Sequence, residues 1–251
     1  MITKFEMAMQ LRAALASEAF RARLFRIQRF YRNVKSELRY RDALLEVFNE
    51  DAQREADGLQ AFAEADKWDL VICPPQATQA DWLRVEVKYH FSGDVHFRFS
   101  KQLRGRYADL ASLDLKALHS ERKLRLDMDG IVKDCCIKGC DLLLLFVQDR
   151  HGTDYGAQVP QRGAIPEMRE RGVLEQFLHE QVQFDRDHPH GNEQLWQQHL
   201  EDMVAVIRRL PRADGYVLGE PWRIRHAVQE APHARPLVSH AYGLLFQPPA
   251  H

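Results

Sequence analysis

Three charged side chains on two neighbouring apolar segments could together carry out phosphodiester chemistry. Asp69 lies in the short segment 68–73, and Glu86 and Lys88 lie in the longer segment 82–91, after a loop that contains two prolines. Segment 82–91 alternates apolar and polar residues as a half-buried strand does, so Glu86 and Lys88 point to the same face. If the two segments pair as a hairpin, Asp69 meets both side chains at one edge.

Two carboxylates and an amine at one point suit metal-dependent hydrolysis. A divalent cation such as Mg²⁺, or Mn²⁺ in its place, takes oxygen ligands from one or two carboxylates and keeps several waters. The ion stabilises the charge that develops on the scissile phosphate. The amine of Lys88 can orient the attacking water or help to deprotonate it. Glu-x-Lys alone is more often a solvated pair on the polar face of a strand, so its surroundings have to support the chemistry.

The same residues resemble the signature of the PD-(D/E)xK nuclease superfamily, in which an acid on one strand of a hairpin precedes acid-any-Lys on the next. Here the match is Asp69 followed by Glu86-Val87-Lys88, and Trp68 stands where the signature usually has a proline. The resemblance implies a Mg²⁺-dependent nuclease with Asp69, Glu86 and the backbone carbonyl of Val87 as metal ligands. It also implies that Lys88 positions the nucleophilic water. The expected substrate is DNA, cut by an endonuclease of the restriction or the repair and defence type, and many such enzymes act as homodimers.

A fourth acidic residue is expected from the helix before the hairpin. Segment 37–48 has no helix breaker and follows Ser36, a suitable N-cap. At 100° per residue its apolar stripe is centred on Glu37, whereas Glu46 faces outward. The helix before the hairpin typically supplies one more acid in the resembled superfamily, and a carboxylate aimed at a core needs a cation. We therefore expect Glu37 at the site. The alternative is that Glu37 is a solvated glutamate in the first turn of the helix, where the helix dipole favours a negative charge.

The order of the predicted elements indicates a mixed α/β fold. A helix is followed by a short strand near 59–63, the two strands of the hairpin, a helical region and the strand 141–148, which is apolar on both faces as in a helix-covered sheet. This is also the core order of the resembled fold. We therefore expect a restriction-endonuclease-like mixed central sheet flanked by helices over residues 36–150. Residues 96–99 are expected to prolong the sheet, residues 101–119 to form a helix, and a further helix to stop at Gly139.

Segments on either side of this core are expected to add to it. Residues 1–35 form a basic segment with one or two amphipathic helices. Residues 151–251 form an extension packed on the core. It contains a helix over 166–185, a helix with an apolar stripe around Trp196 and Leu200 that ends before Pro211, and strands within 216–228 and 237–246 that form a hairpin or an additional sheet edge.

The net charge of −1 hides an uneven distribution of basic residues. Residues 1–36 contain eight lysines and arginines against two acids, and a second basic cluster lies between 98 and 106. Basic clusters are the usual footprint of a polyanion, because neutralised phosphates release counterions. We expect Lys101, Arg104 and Arg106 to contact nucleic-acid phosphates. The alternative for either cluster is a solvated helix face.

The composition is that of an ordinary soluble protein, with 45% apolar and 28% charged residues among 251. The longest strongly apolar run, 142–147, is too short to cross a bilayer, and no basic-then-apolar leader opens the chain. We expect a cytoplasmic protein with no membrane partner. The adjacent pair Cys135 and Cys136 does not suit a zinc site, so buried reduced thiols are expected.

Two other interpretations remain open. The chain could be a non-catalytic nucleic-acid-binding or protein-interaction module that keeps the nuclease-like sheet. It could also be an unrelated α/β protein in which Glu86 and Lys88 form a surface pair. Titration with metal distinguishes the non-catalytic module from a metal-dependent enzyme.

Overall fold

The computed structural model describes residues 2–30, 37–120, 128–149, 193–228 and 237–249, which form a mixed α/β structure with helices on both faces of one sheet. In chain order the described α-helices are α1 Lys4–Ala16, α2 Glu18–Phe30, α3 Glu37–Asn49, α4 Ala52–Ala56, α5 Ser92–Asp94, α6 Ser100–Arg104, α7 Leu115–Ser120, α8 Met128–Val132 and α9 Glu193–Arg209. The strands are β1 Gln60–Ala63, β2 Leu70–Cys73, β3 Leu83–Phe91, β4 Leu142–Gln148, β5 Val217–Leu218, β6 Trp222–Val228 and β7 Leu237–Gln247. Ser36 and the helix predicted for 166–185 lie outside these described residues.

The sheet has seven strands and mixed direction. Strands β1, β2 and β3 form an antiparallel meander, and β4 then lies parallel to β3. Strand β7 runs antiparallel to β4 and also pairs with β5 and β6. The predicted hairpin and the predicted strand near 59–63 are therefore confirmed. The C-terminal strands join the same sheet as predicted, but β7 lies inside it between β4 and β6, and the domain boundary near residue 150 stays a prediction.

Two apolar layers cover the two faces of the central strands. The first layer is built from α1, α2 and α3, whose buried side chains include Leu11, Phe20 and Leu44, and it packs on Val85 and Val87 of β3. The second layer contains α7, α8 and α9 and packs on the opposite face of β4. Burying each large apolar side chain contributes about 1.5–3 kcal/mol, so these layers hold the sheet in place.

Strand β3 is buried on both faces, which the alternating sequence did not predict. Leu83, Val85 and Val87 face the first layer as expected. The polar face was expected to meet solvent, yet Glu86 and His90 are each only 2% exposed. The second layer covers this face, so a charged side chain on it needs partners within the protein.

Two segments differ from the predicted elements. Residues 96–99 were expected to extend the sheet, but Val95–Phe99 forms a π-helical turn between α5 and α6. Val95 and Phe99 are both fully buried and lie four residues apart, the spacing that places two side chains on one helix face. The helix predicted over 101–119 is also wrong in extent. Helix α6 ends at Arg104, a 3-10 turn follows at Leu110–Ser112, and α7 begins at Leu115.

The helices at the two ends of the chain and the one before β4 agree with prediction, whereas the short helices α4 and α5 were not predicted. Two helices occupy the N-terminal segment, and the C-terminal helix α9 ends before Pro211 with Trp196 and Leu200 buried. Helix α8 continues into a π-helical segment, Lys133–Lys138, which stops at Gly139 in the left-handed region with a φ of 77°. Glycine tolerates that conformation without a steric cost, so this segment ends at a defined point just before β4.

Candidate functional site

The antiparallel pairing of β2 and β3 brings Asp69 to the charged pair on β3. Asp69 directly precedes β2, and the next residue, Leu70, pairs with Val85. The Oδ2 atom of Asp69 accepts a hydrogen bond from the backbone N–H of Val87 at 2.8 Å. This bond fixes the carboxylate against the strand between Glu86 and Lys88.

The ammonium group of Lys88 lies at the centre of a cluster of oxygen atoms. Its Nζ is 2.9 Å from Oδ2 of Asp134, 3.3 Å from Oε2 of Glu86 and 3.8 Å from Oδ2 of Asp69. It also donates to the backbone carbonyl of Val87 at 3.3 Å. The three groups expected to ligate a metal, on Asp69, Glu86 and Val87, therefore surround one cationic group.

Opposite charges around Lys88 set its protonation state. Burial by itself lowers the pKa of Lys88, but the charges of Asp134, Asp69 and Glu37 outweigh burial and leave this pKa above its ordinary value. Burial also raises the pKa of Asp134, and the nearby ammonium of Lys88 offsets only part of that rise. Lys88 is consequently a stable cation at neutral pH, suited to donate hydrogen bonds.

Sequence reasoning missed two site residues, Asp134 and Lys138. Both lie on the π-helical segment that ends at Gly139, and they approach the site from the second helical layer. Asp134 pairs with Lys88, whereas Lys138 pairs with Oε1 of Glu86 and donates to the carbonyl of Lys67 at 2.8 Å. A signal existed, because these charged residues flank a buried helical stripe. Nothing in the local pattern indicated that the stripe packs over β3.

The structure separates the two glutamates weighed for the helix before the hairpin. The charge of Glu37 acts on Lys88 and helps to raise its pKa. Glu46 has a side chain that is 59% exposed, and it pairs with Arg23 on α2 at 3.1 Å. Of the two, only Glu37 is placed to influence the site, and it does so through its charge.

The residues expected to bind nucleic acid have unequal surroundings. Lys101 and Arg104 are exposed on α6, and Arg104 donates to the carbonyl of Ser100. Arg106 is also exposed but forms an ion pair with Asp129 at 3.0 Å. In the N-terminal basic segment, several cations have internal partners: Lys4 pairs with Asp141, Arg21 with Glu18, and Arg23 with Glu46 and Glu50. Internal pairing favours the alternative of a structural, solvated helix face for that segment.

The donor atoms of the site fit a hard divalent cation in chemistry and charge. Asp69, Glu86 and Asp134 supply three carboxylates against the two ammonium groups of Lys88 and Lys138, which leaves the cluster negative. No group of three or more His, Cys, Asp or Glu side chains in the described ranges is arranged to hold a metal ion. Mg²⁺ typically needs only one or two carboxylates and keeps its waters, so the pair Asp69 and Glu86 with the Val87 carbonyl suits it.

Other features of the chain lie away from this chemistry. Cys135, Cys136 and Cys140 are buried free thiols, and Cys73 is partly buried. Within the described residues, none of the helices is long and apolar enough to cross a membrane.

Comparisons of the chain with protein-family models, with curated proteins and with solved structures found no match. The function of the site is therefore inferred from its own residues.

Proposed function

We propose that the protein is a Mg²⁺-dependent nuclease that hydrolyses phosphodiester bonds, with DNA as its substrate and internal cleavage as its mode. The observation that carries this proposal is the convergence of Asp69, Glu86 and the Val87 carbonyl on the partly buried ammonium group of Lys88. Burying acidic groups together is costly unless cations balance them. Their gathering under a helical layer favours a functional site over a solvated surface pair.

The sequence of elements gives independent support. A helix, three antiparallel strands, a helical region and a strand parallel to β3 follow one another from α3 to β4. This is the order that the resemblance to the PD-(D/E)xK superfamily implies. Asp69 directly precedes the first strand of the hairpin, and Glu86 and Lys88 lie on its second strand, which is the arrangement that the resemblance implies.

Each residue has a role that its surroundings support. Asp69, Glu86 and the carbonyl of Val87 would hold the ion, which when bound supplies charge stabilisation for the phosphate and a more acidic water. The carboxylates around Lys88 hold its pKa above its ordinary value, so its ammonium group can orient water and offset negative charge. Glu37 adds negative charge to the cluster. The exposed Lys101 and Arg104 would contact phosphates without selecting a sequence.

Incubation of the purified protein with plasmid, linear and single-stranded DNA, in Mg²⁺, Mn²⁺ or EDTA, tests the activity and its substrate together. Glu86→Gln should lower the cleavage rate at least about a hundredfold, since it removes the charge of a metal ligand. Glu46→Gln, which neutralises an exposed glutamate away from the site, is the matched control and should cut at the wild-type rate. A Glu86→Gln protein that cuts as fast as this control would refute the proposal.

A second candidate function is a nucleic-acid-binding module without turnover. The contacts of Glu86 favour it, because both carboxylate oxygens already meet ammonium groups, so the charges can be balanced without a metal. Calorimetric titration with Mg²⁺ and Mn²⁺ distinguishes the two functions. Retention of DNA with no heat of metal binding would support the module.

A further inference from the structure

Glu86 meets positive charge at both ends of its carboxylate. Its Oε2 atom is 3.3 Å from the ammonium of Lys88, and its Oε1 atom is in contact with the ammonium of Lys138. Only 3% of the side chain is exposed, so water screens these contacts poorly. A divalent ion that takes Glu86 as a ligand therefore has to compete with a cation that the protein itself supplies.

The two lysines are anchored in different ways. Lys88 keeps the carboxylate of Asp134, at 2.9 Å, when Glu86 and Asp69 turn to a metal. Lys138 has no other carboxylate within 4 Å in the described part of the chain. Its remaining contacts are neutral: the carbonyl of Lys67 and the ring of Trp68, whose centre is 4.6 Å from Nζ. Lys138 is thus the cation that loses its ion pair when a metal binds.

We propose that Lys138 is a positioning residue that competes with the divalent cation for Glu86, holding the carboxylate closed until the metal displaces it. This inference rests on the proposed function, because it takes Glu86 as a metal ligand. It adds a residue from a helical segment that belongs to neither strand of the hairpin, and it assigns that residue control over metal affinity.

If Lys138 instead oriented Glu86 for the metal, its loss would weaken metal binding and not strengthen it. A partner that merely fixes the orientation of a ligating carboxylate strengthens metal binding, and its loss weakens affinity about 10–100-fold. An ammonium in contact with that carboxylate also repels a divalent ion a few ångströms away, and this repulsion is strong in a poorly hydrated site. The charge effect is the larger one here because Glu86 is almost fully buried.

Calorimetric titration of the full chain with Mg²⁺ and with Mn²⁺ at one ionic strength shows whether Lys138 weakens or strengthens metal binding. Lys138→Met should bind each metal about tenfold more tightly than wild type, the value of one charge-assisted contact removed. Lys138→Arg keeps the positive charge and should bind as wild type does. Arg209→Met is the control for the loss of a positive charge. It removes an exposed cation at the end of α9, and it should change affinity less than twofold.

The outcomes separate this inference from the proposed function. Equal or weaker metal binding by Lys138→Met, with binding by the wild type, overturns the competitor role and leaves the nuclease proposal standing. No binding by any variant overturns both. Binding by Lys138→Met alone supports a competitor strong enough to block the wild-type site. Thermal melting without metal verifies that each variant is folded, and Lys138→Gln, which keeps a polar side chain, replaces Lys138→Met if that variant does not fold.

Discussion

Neutralising Asp141 should destabilise the fold strongly, because this one carboxylate ties α1 to the start of β3 and β4. Its side chain is completely buried and accepts hydrogen bonds from Arg84, at 2.9 Å from the backbone N–H and at 2.7 and 2.8 Å from the guanidinium. The ammonium of Lys4 lies 3.1 Å away. The backbone of Asp141 also bonds to the carbonyl of Arg84 and to the N–H of Phe246. Asp141→Asn keeps the size and these backbone bonds but removes the counter-charge of two cations.

The loss of stability depends on how well water can hydrate the two cations once the carboxylate charge is gone. Removing one partner of a buried ion pair costs about 3–5 kcal/mol, because the other charge is left without compensation. The side chains of Lys4 and Arg84 are 26% and 28% exposed, so water can hydrate both in part. We therefore expect the lower end of the range, about 3 kcal/mol, which is a large share of a typical domain stability of about 5–15 kcal/mol.

Urea unfolding followed by circular dichroism at neutral pH measures this loss. Glu220→Gln is a suitable control, since its carboxylate is 91% exposed and its pair with Arg208 lies on the surface. An exposed pair contributes at most about 1 kcal/mol, so this control should unfold close to the wild-type midpoint. If Asp141→Asn were as stable as Glu220→Gln, the buried ion pairs of Asp141 would not be what holds α1 and the two strands together.

Two further predictions concern stability at other points of the sheet. Burial lowers the pKa of His240 from 6.5 to about 3. The stability that comes from burying the neutral imidazole is therefore fully present above pH 6.5. It is lost as the pH falls toward 3, by up to about 1.4 kcal/mol of unfolding free energy per pH unit. Between pH 6.5 and 4, the free energy of unfolding of His240→Phe, measured by urea melts, should fall less steeply with pH than that of wild type, by the equivalent of about one proton. The same slope in both proteins would count against burial of the neutral imidazole. Gly243→Ala should cost about 2–3 kcal/mol because a Cβ would overlap the ring of Trp222, whereas Gly130→Ala, with no heavy atom within 4 Å of its Cβ, should gain about 0.5–1 kcal/mol of helix stability. Equal midpoints for these two variants would contradict the packing around Gly243.

Local patterns were sufficient to locate the hairpin of the site. The alternation in 82–91 predicted β3 with Glu86 and Lys88 on one face, and the short apolar segment before it predicted β2 next to Asp69. Both strands are present and bring these side chains together. Period-two alternation is a direct consequence of strand geometry, so it is visible in the sequence regardless of which element packs on the strand.

Other elements could not be located in this way. Residues 96–99 alternate as a strand would, but they are helical because Val95 and Phe99 bury one face under the second layer. Over so short a segment, alternation cannot be distinguished from a helix whose buried face is set by distant contacts. The position of β7 inside the sheet depends on pairing with β4, almost a hundred residues earlier in the chain.

Residue type and period are local properties, so they were enough to identify the residues that could do chemistry and the hairpin that carries them. Long-range packing covers the polar face of β3 and brings Asp134 and Lys138 to Lys88 and Glu86 from a separate helical segment. Local patterns do not contain this information, because an apolar stripe shows that a segment must bury one face but leaves its partner undefined. Partner choice depends on the packing of the whole chain, and here that packing turns a pair of charges on a strand into a closed ionic cluster.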